Sequence, residues 1–583
     1  MKWIIIITLI LDISFFSSKA IGGVNDKNGN FYITYTDFYI NDLLEVSRTY
    51  NSKSVTVGLF GFGWGSSFET RLFVDPSGLP VIYQNGQGAV SYFKPIKSDE
   101  KYEKQLNYSL EKMQKLLVDE KLDNNKDNNV LKNAHEDIKE KLKDAEFRTS
   151  EWDRLVRQNK VKPIDVALGT EFTYTCTCNF KAQHLIRTID GYRYTSEGKT
   201  DIFDNEGRLV SLADNSGKAL NIERDQSDNG RIRGIHLDSD SIYFFYNDQG
   251  FIDRLFNPKS GKITIYSYRD KNLILSNDLG ANIYQYLYDA RHNMTQIVYI
   301  DQSKMSIGYD KNSLATEVID RDGTKTSYYY GTMNGSPELN YFTEIVRLSP
   351  KTYGYPSKER REYHLKITDS GTQVNNEIVT VSDNIKRVYS YDDKGILKHL
   401  EQKSPPDSKD IISSDFVFDD SGRVQSIHSN KWSRDYVYSS SASNSSIKSL
   451  LTINGIQNSE YSYEYDDKGR LIIANHAGTN IQVIYIDNKS ELVASIQSDQ
   501  DKINFVREGR MLSRLEFECR EGGLFSKLEF ECKNGQTEII LFDKDKNGQL
   551  TIGSDEVDKA YLISSVISGM LSIVSPSKSN LRL

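Results

Sequence analysis

The chain has 583 residues and a net charge of −8, with acidic and basic residues mixed along its length. That balance offers no basic face to a nucleic acid, and four cysteines are too few to frame a chain of this length with disulfides. Tyrosine is abundant, at 36, and proline scarce, at 11, which favours strands whose aromatic side chains end in a polar tip.

Residues 1–20, MKWIIIITLILDISFFSSKA, read as a signal peptide. Lys2 supplies the positive end, Trp3 to Phe16 an apolar stretch interrupted by Asp12, and Ser18-Lys19-Ala20 a small-residue cut site. The apolar stretch is shorter than the roughly 20 residues that span a bilayer. No cysteine follows the cut to carry a lipid, and no later apolar run reaches spanning length. The expectation is an exported chain with no transmembrane span after cleavage.

Residues 21–97 are expected to form a β module. SRTYNSKSVTVGLFGFGWGSSFET, Ser47 to Thr70, interleaves glycines with Phe60, Phe62, Trp64 and Phe68. Glycine lets backbones turn and approach closely while the aromatics fill the space between. A phosphate-cradling loop fails on detail: Ser66 stands where G-x-G-x-x-G needs its last glycine, and no βαβ unit follows. DPSGL, Asp75 to Leu79, reads as a β-turn, and VIYQNGQGAVSYFKP as a hairpin turning at Asn85-Gly86.

Residues 98–160 change character. Leu106, Leu110, Met113 and Leu117, then Leu131, Ala134, Ile138 and Leu142, fall at helical spacing on either side of DNNKDNN. The pattern predicts an inserted helical hairpin, two helices in all, read as a solvated element without a partner; a docking surface or a lid is the alternative. Beyond it, Cys176 and Cys178 in TYTCTCNF alternate like a strand, and Cys519 and Cys532 sit in the matching copies SRLEFEC and SKLEFEC. None has the C-x-x-C spacing of a zinc site.

Two blocks, 161–345 and 346–552, repeat a short motif: an aromatic, often Asp, a turn with Gly or Asn, then an aliphatic. Phe203, Tyr246, Tyr268, Tyr288, Tyr309 and Tyr330 mark the first block, with steps of 20 to 22 residues after Tyr246. Between Phe203 and Tyr246, IERDQSDNGRIRGI fits the motif weakly. Tyr391, Phe418, Tyr438, Tyr465 and Tyr485 mark the second, with steps alternating between 27 and 20. Each unit is a β-hairpin whose Asp bonds back to the backbone and whose Gly accepts a positive φ. A lone hairpin is not stable in water, so the units stack into a sheet.

The motif resembles the YD repeats of the RHS family, which includes the teneurin-like YD shells. Tyr288-Asp289, Tyr309-Asp310, Tyr391-Asp392, Phe418-Asp419 with Gly422, and Tyr465-Asp466 with Gly469 carry the likeness. Arg48, Tyr50, Asn51, Ser52, Gly61, Gly63 and Trp64 are similar to the R-x-Y-x-S and G-x-G-W segments of the module that precedes RHS repeats. The resemblance implies a mainly β fold in which repeated hairpins form a large curled or spiralling sheet. RHS toxins carry D-P-x-G-L where their shell ends; here DPSGL lies near the start, and the expectation is a chain without a separate toxin-sized domain after its repeats.

The tail, 553–583, has Val557, Tyr561, Val566, Met570 and Leu571 at near-helical spacing and is expected to be a helix covering a sheet edge. Just before it, Asp543, Asp545 and Asn547 begin like a calcium loop, but Ser554 holds the twelfth position and Glu556 comes late. A further repeat turn accounts for the same residues. No G-x-S-x-G elbow, Walker loop or paired-histidine zinc helix occurs. No cofactor and no catalytic residue is expected. The expected function is a non-enzymatic scaffold or shell, at the cell envelope or outside the cell, that binds or encloses a polypeptide or glycan. A part in toxin delivery with the toxin encoded separately, and a secreted carbohydrate-active protein, are the alternatives.

Overall fold

The structure is a computed structural model; it describes residues 21–543 apart from short turns and loops, the longest of them 175–182. The chain is mainly β and divides into two compact units, Ile21–Arg423 and the part from Val424 onward.

The first unit opens with β1 (Ile21–Asn25), β2 (Asn30–Tyr39), β3 (Glu45–Asn51), β4 (Val57–Gly58), β5 (Gly61–Phe62) and β6 (Trp64–Ser66). Strands β1, β2, β3 and β6 make a four-stranded antiparallel sheet, and β4 with β5 a minute hairpin. Alternate residues of β2, Phe31, Ile33 and Tyr35, are buried, the period-2 signature of a strand with one face on a core. Next, β7 (Arg71–Val74), β8 (Pro80–Tyr83) and β9 (Val90–Pro95) begin a second ladder. It passes from β9 to Glu171–Tyr174 across the helical insertion, and from there each strand pairs antiparallel with the next as far as Ile411–Phe418. Only one turn is needed to join neighbouring antiparallel strands, so a chain of hairpins yields this topology directly.

The ladder curls. The Leu72 amide of β7 donates to the Gly207 carbonyl at 2.8 Å, although several strands lie between the two along the sheet. The faces differ sharply. Along Ile283–Tyr288, Tyr284 and Tyr286 are buried while Ile283 and Leu287 are exposed.

The insertion holds three helices among the described residues, not two: α1 (Glu100–Leu122), α2 (Asn128–Lys141) and α3 (Ala145–Arg157). The apolar period runs on through Leu142, which hides the break. Asp144 makes it, by accepting the Phe147 amide at 2.8 Å as the N-cap of α3. The Arg148 guanidinium donates to the Leu142 carbonyl at 2.8 Å, and the Ala145 amide donates to the Gly371 carbonyl at 2.9 Å. Both ends of the break are thus satisfied. The insertion is docked on its own chain rather than solvated on all sides. Trp152 and Leu155 are buried, Arg71 holds Asp153 bidentately at 2.5 and 2.7 Å, and Arg148 Nε donates to Asp75 at 2.8 Å. Asp75 belongs to the DPSGL turn, and its other oxygen accepts the Ser77 and Leu79 amides. That turn is therefore also the seat of α3.

In the second unit, strands from Val424–Ser429 to Met511–Cys519 continue in order, Asp501–Glu508 pairing with Met511–Cys519. Ser526–Lys533 and Gln536–Asp543 pair as a separate hairpin, so the strand ending at Cys519 and the one holding Cys532 each have another antiparallel partner. The signal peptide, Cys176, Cys178, the tail helix and, of the calcium-loop residues, Asp545, Asn547 and Glu556 lie outside the described residues; Asp543 ends a strand. No helix among the described residues is long and apolar enough to cross a membrane.

Candidate functional site

Most repeats are built the same way. The ladder register slips immediately before Phe203, Tyr246, Tyr268, Tyr288, Tyr309, Tyr391, Tyr465 and Tyr485, a β-bulge at or next to the strand end; Tyr330 and Tyr438 lie in strands whose register runs without a slip. Where an Asp follows the aromatic, it closes the turn. Asp289 Oδ1 accepts the Arg291 and Asn293 amides at 2.8 and 2.9 Å. Asp310 does the same for Asn312 and Leu314, Asp392 accepts the Ile396 amide, and Asp466 the Arg470 amide, each within 2.8–2.9 Å. Phe418 ends its strand and Asp419 follows it; Gly422 and Gly469 lie outside the described residues.

The tyrosine hydroxyl then latches one repeat to the one before. Tyr268 donates to the Ile252 carbonyl, Tyr288 to Leu273, Tyr309 to Met294 and Tyr330 to Ala315, at 2.6–3.0 Å. In each case the accepting residue pairs with the preceding repeat's aromatic, Tyr246, Tyr268, Tyr288 and Tyr309 in turn. Tyr438 and Tyr485 make the same latch in the second unit.

The N-terminal module lies along these repeats, running opposite to them. The Leu72 amide meets Gly207, the Leu59 carbonyl takes the Ile252 amide, and the Phe62 amide donates to Lys271. The Met294 amide donates to the Tyr50 hydroxyl, which itself donates to the His292 carbonyl. The Gly29 carbonyl takes the Ala315 amide, and Thr343 donates to the Asp26 carbonyl. Gly61 is required there: its φ is +96°, and a Cβ would stand 2.5 Å from the Lys271 oxygen. Gly63 admits the Tyr50 ring, and the Asn51 amide donates to the Gly63 carbonyl at 2.8 Å. Ser52 ties β3 to β2 by exchanging backbone and hydroxyl bonds with Phe31.

Arg48 is the centre of the seam. It is fully buried, its Nε donates to Asp37 at 2.8 Å, and its Nη2 donates to Ser276 and Tyr286. Its guanidinium carbon lies 4.7 Å from the ring centres of both Tyr35 and Trp64. Tyr266 donates to Asp37 at 2.7 Å. Burial raises the Asp37 carboxyl above its usual range, against the pull of Arg48 and of the Tyr266 bond. Asp37 Oδ1 and Arg48 Nη1 make no hydrogen bond, so the pair is not fully satisfied. Trp64 Nε1 donates to the Tyr288 hydroxyl at 3.0 Å.

The sequence reading singled out Arg48, Tyr50, Trp64 and Tyr288 without a reason to join them; the fold puts them in one cluster. It did not find Asp37, which occupies a bulge between Thr36 and Phe38, nor Arg148 or Arg224, and it placed Asp75 in its turn without the bond to Arg148. Among the described residues no group of three or more His, Cys, Asp or Glu is placed to hold a metal.

A family model described as a domain of unknown function, DUF6531, matches residues 22–93, the stretch from β1 into β9. No curated protein matches the chain. Among solved structures, the chain is similar to TcdB2-TccC3 without its hypervariable C-terminal region, at 10% identity and a TM-score of 0.24, covering 69% of this chain and 27% of that one. It is similar also to TcdB2-TccC3, at 10% identity and 0.26, covering 90% and 23%. With the Photorhabdus luminescens Tc holotoxin pore the values are 9% and 0.18, covering 90% and 38%. The chain thus spans well under half the length of the solved chains it matches.

Proposed function

We propose that the chain is an exported, non-enzymatic scaffold of the RHS/YD type that binds or encloses a polypeptide or glycan at the cell envelope or outside the cell. The observation that carries this reading is the solvent-open face of the ladder, on which apolar and polar side chains alternate from strand to strand. Phe245, Ile265 and Ile283 are 38%, 48% and 40% exposed. The register sets Phe245 and Ile265 on either side of Arg254, and Ile283 opposite Asn277. Exposed apolar side chains set between an arginine and an asparagine suit a partner surface that offers both contact and hydrogen bonds. The motif aspartates support the non-enzymatic part, because Oδ1 of each is taken up by its own turn.

The test is a peptide and glycan array followed by product analysis of every retained compound. Reversible retention, weakened by Phe245→Ser with Ile265→Ser and without chemical change in the bound compound, is expected. Turnover that is abolished by one Asp substitution at unchanged stability would refute the reading. Retention of a toxin polypeptide encoded beside the gene would place the scaffold in delivery.

A further inference from the structure

Arg224 breaks the repeat. The register slips just before it, as it does before most of the repeat aromatics, and it lies between Phe203 and Tyr246 at the place where a tyrosine belongs. It even makes the latch: its Nε and Nη2 donate to the Leu209 carbonyl at 3.3 and 2.9 Å, and Leu209 pairs with Phe203. A neutral phenol serves this purpose in the neighbouring repeats, so the latch does not explain the charge.

Among the described residues no carboxylate makes a direct ion pair with that charge. Among the described residues the other partners of Arg224 are the Gly230 carbonyl at 2.9 Å and the Phe68 carbonyl at 3.5 Å. Burial, and then the nearby Arg208 charge, press its pKa below the ordinary arginine value. Of the two acids that act on it from nearby, Asp204 already holds Arg208 at 2.8 Å. Glu69 accepts the Leu59 and Ser66 amides, and burial pushes its carboxyl up to about 8, so it is largely protonated at neutral pH. A half-buried guanidinium whose nearby acids are engaged elsewhere can still gain from an anionic partner.

At this point a pocket of about 330 Å³ opens between the N-terminal module and the repeat turns, lined by Leu59, Phe68, Glu69, Arg71, Arg208, Arg224 and Arg231 among others. Arg71 is committed to Asp153, and Arg208 to Asp204 and Glu206. Arg231 stacks on Tyr246 with 4.8 Å to the ring centre. Guanidinium groups match carboxylate and phosphate geometry, and the volume suits a small molecule.

We propose that this pocket binds a small organic anion, with a carboxylate or phosphate group held by Arg224 and its neighbouring arginines and an apolar body against Leu59 and Phe68. Isothermal titration of the purified full chain with phenyl phosphate, benzoate and, as a neutral control, benzyl alcohol tests it. Saturable binding of either anion and none of the alcohol is expected, and the tighter anion names the group. Arg224→Tyr restores the repeat residue, keeps a latch to Leu209 and removes the charge; it is expected to keep the wild-type melting temperature and weaken binding at least about tenfold. Should that variant fail to fold, Arg231→Gln is expected to weaken binding in a folded chain. Equal binding of the alcohol, no binding of either anion, or affinity unchanged by the substitution in a folded variant would overturn the proposal.

Discussion

Trp64 and Tyr288, 224 residues apart, share one hydrogen-bond relay: the indole Nε1 donates to the Tyr288 hydroxyl at 3.0 Å, and that hydroxyl donates to the Leu273 carbonyl at 2.8 Å. One residue belongs to the glycine-aromatic module and the other to a repeat. The hydroxyl that latches two repeats is thus also the acceptor for the module. Tyr288→Phe strands a buried indole donor and a carbonyl together, and each buried polar group left unpaired costs about 1–3 kcal/mol. Tyr485→Phe removes a latch to Leu471 at 3.0 Å in the second unit. Urea melts are expected to show the larger loss for Tyr288→Phe.

The Arg48–Asp37 pair predicts an asymmetry between single and double substitutions. Breaking a buried pair from one side leaves an uncompensated charge and costs roughly 3–5 kcal/mol, whereas replacing both partners with apolar residues of similar size is often near neutral. Asp37→Leu alone is expected to be severely destabilising, and Arg48→Met with Asp37→Leu to recover much of that loss. Chemical denaturation of the three proteins checks it. A double variant no better than Asp37→Leu would mean that the bonds from Arg48 to Ser276 and Tyr286 matter more than the charge pair.

Glycines at the seam differ from glycines elsewhere. Gly207 has φ +74°, and a Cβ there would lie 1.7 Å from the Leu72 carbonyl oxygen, while Gly478, at φ +84°, has nothing within 4 Å. Gly478→Ala pays only for the left-handed backbone, on the order of 1 kcal/mol. Gly207→Ala must also push β7 off the repeat turn. Its melting temperature is expected to fall clearly further than that of Gly478→Ala.

Glu69 gives stability a pH dependence of definite sign. Its folded pKa, about 8, stands above the ordinary carboxyl value because of burial. The folded state therefore keeps a proton that the unfolded state loses, and the stability from this group is complete below the unfolded pKa and lost as pH rises toward 8. Denaturation midpoints of the wild type are expected to fall across that window. Glu69→Gln, which cannot titrate, is expected to show a smaller fall. Equal slopes would contradict the assignment.

The hairpin period was legible because each unit marks itself three times, with an aromatic at the bulge, an Asp in the turn and an aliphatic on the return strand. Local chemistry fixes all three. The buried centre was not legible, because its partners come from bulges and distant repeats. Asp37 faces inward through the slip between Thr36 and Phe38, which no alternation pattern announces. Arg224 escaped because a search for aromatics passes over an arginine that performs the same latch. The break between α2 and α3 escaped because Leu142 keeps the helical period while Asp144 and the Gly371 carbonyl end it.

Hydrogen–deuterium exchange of the full chain, compared with Arg48→Ala, tests most directly whether the N-terminal module and the repeats hold each other. The seam places the amides of Phe62 and Leu72 against repeat carbonyls, and those of Ile252, Met294 and Ala315 against the module. In the wild type all five are expected to exchange slowly, and in Arg48→Ala to lose protection together. Loss confined to the module, with Ile252, Met294 and Ala315 as protected as before, would contradict that account.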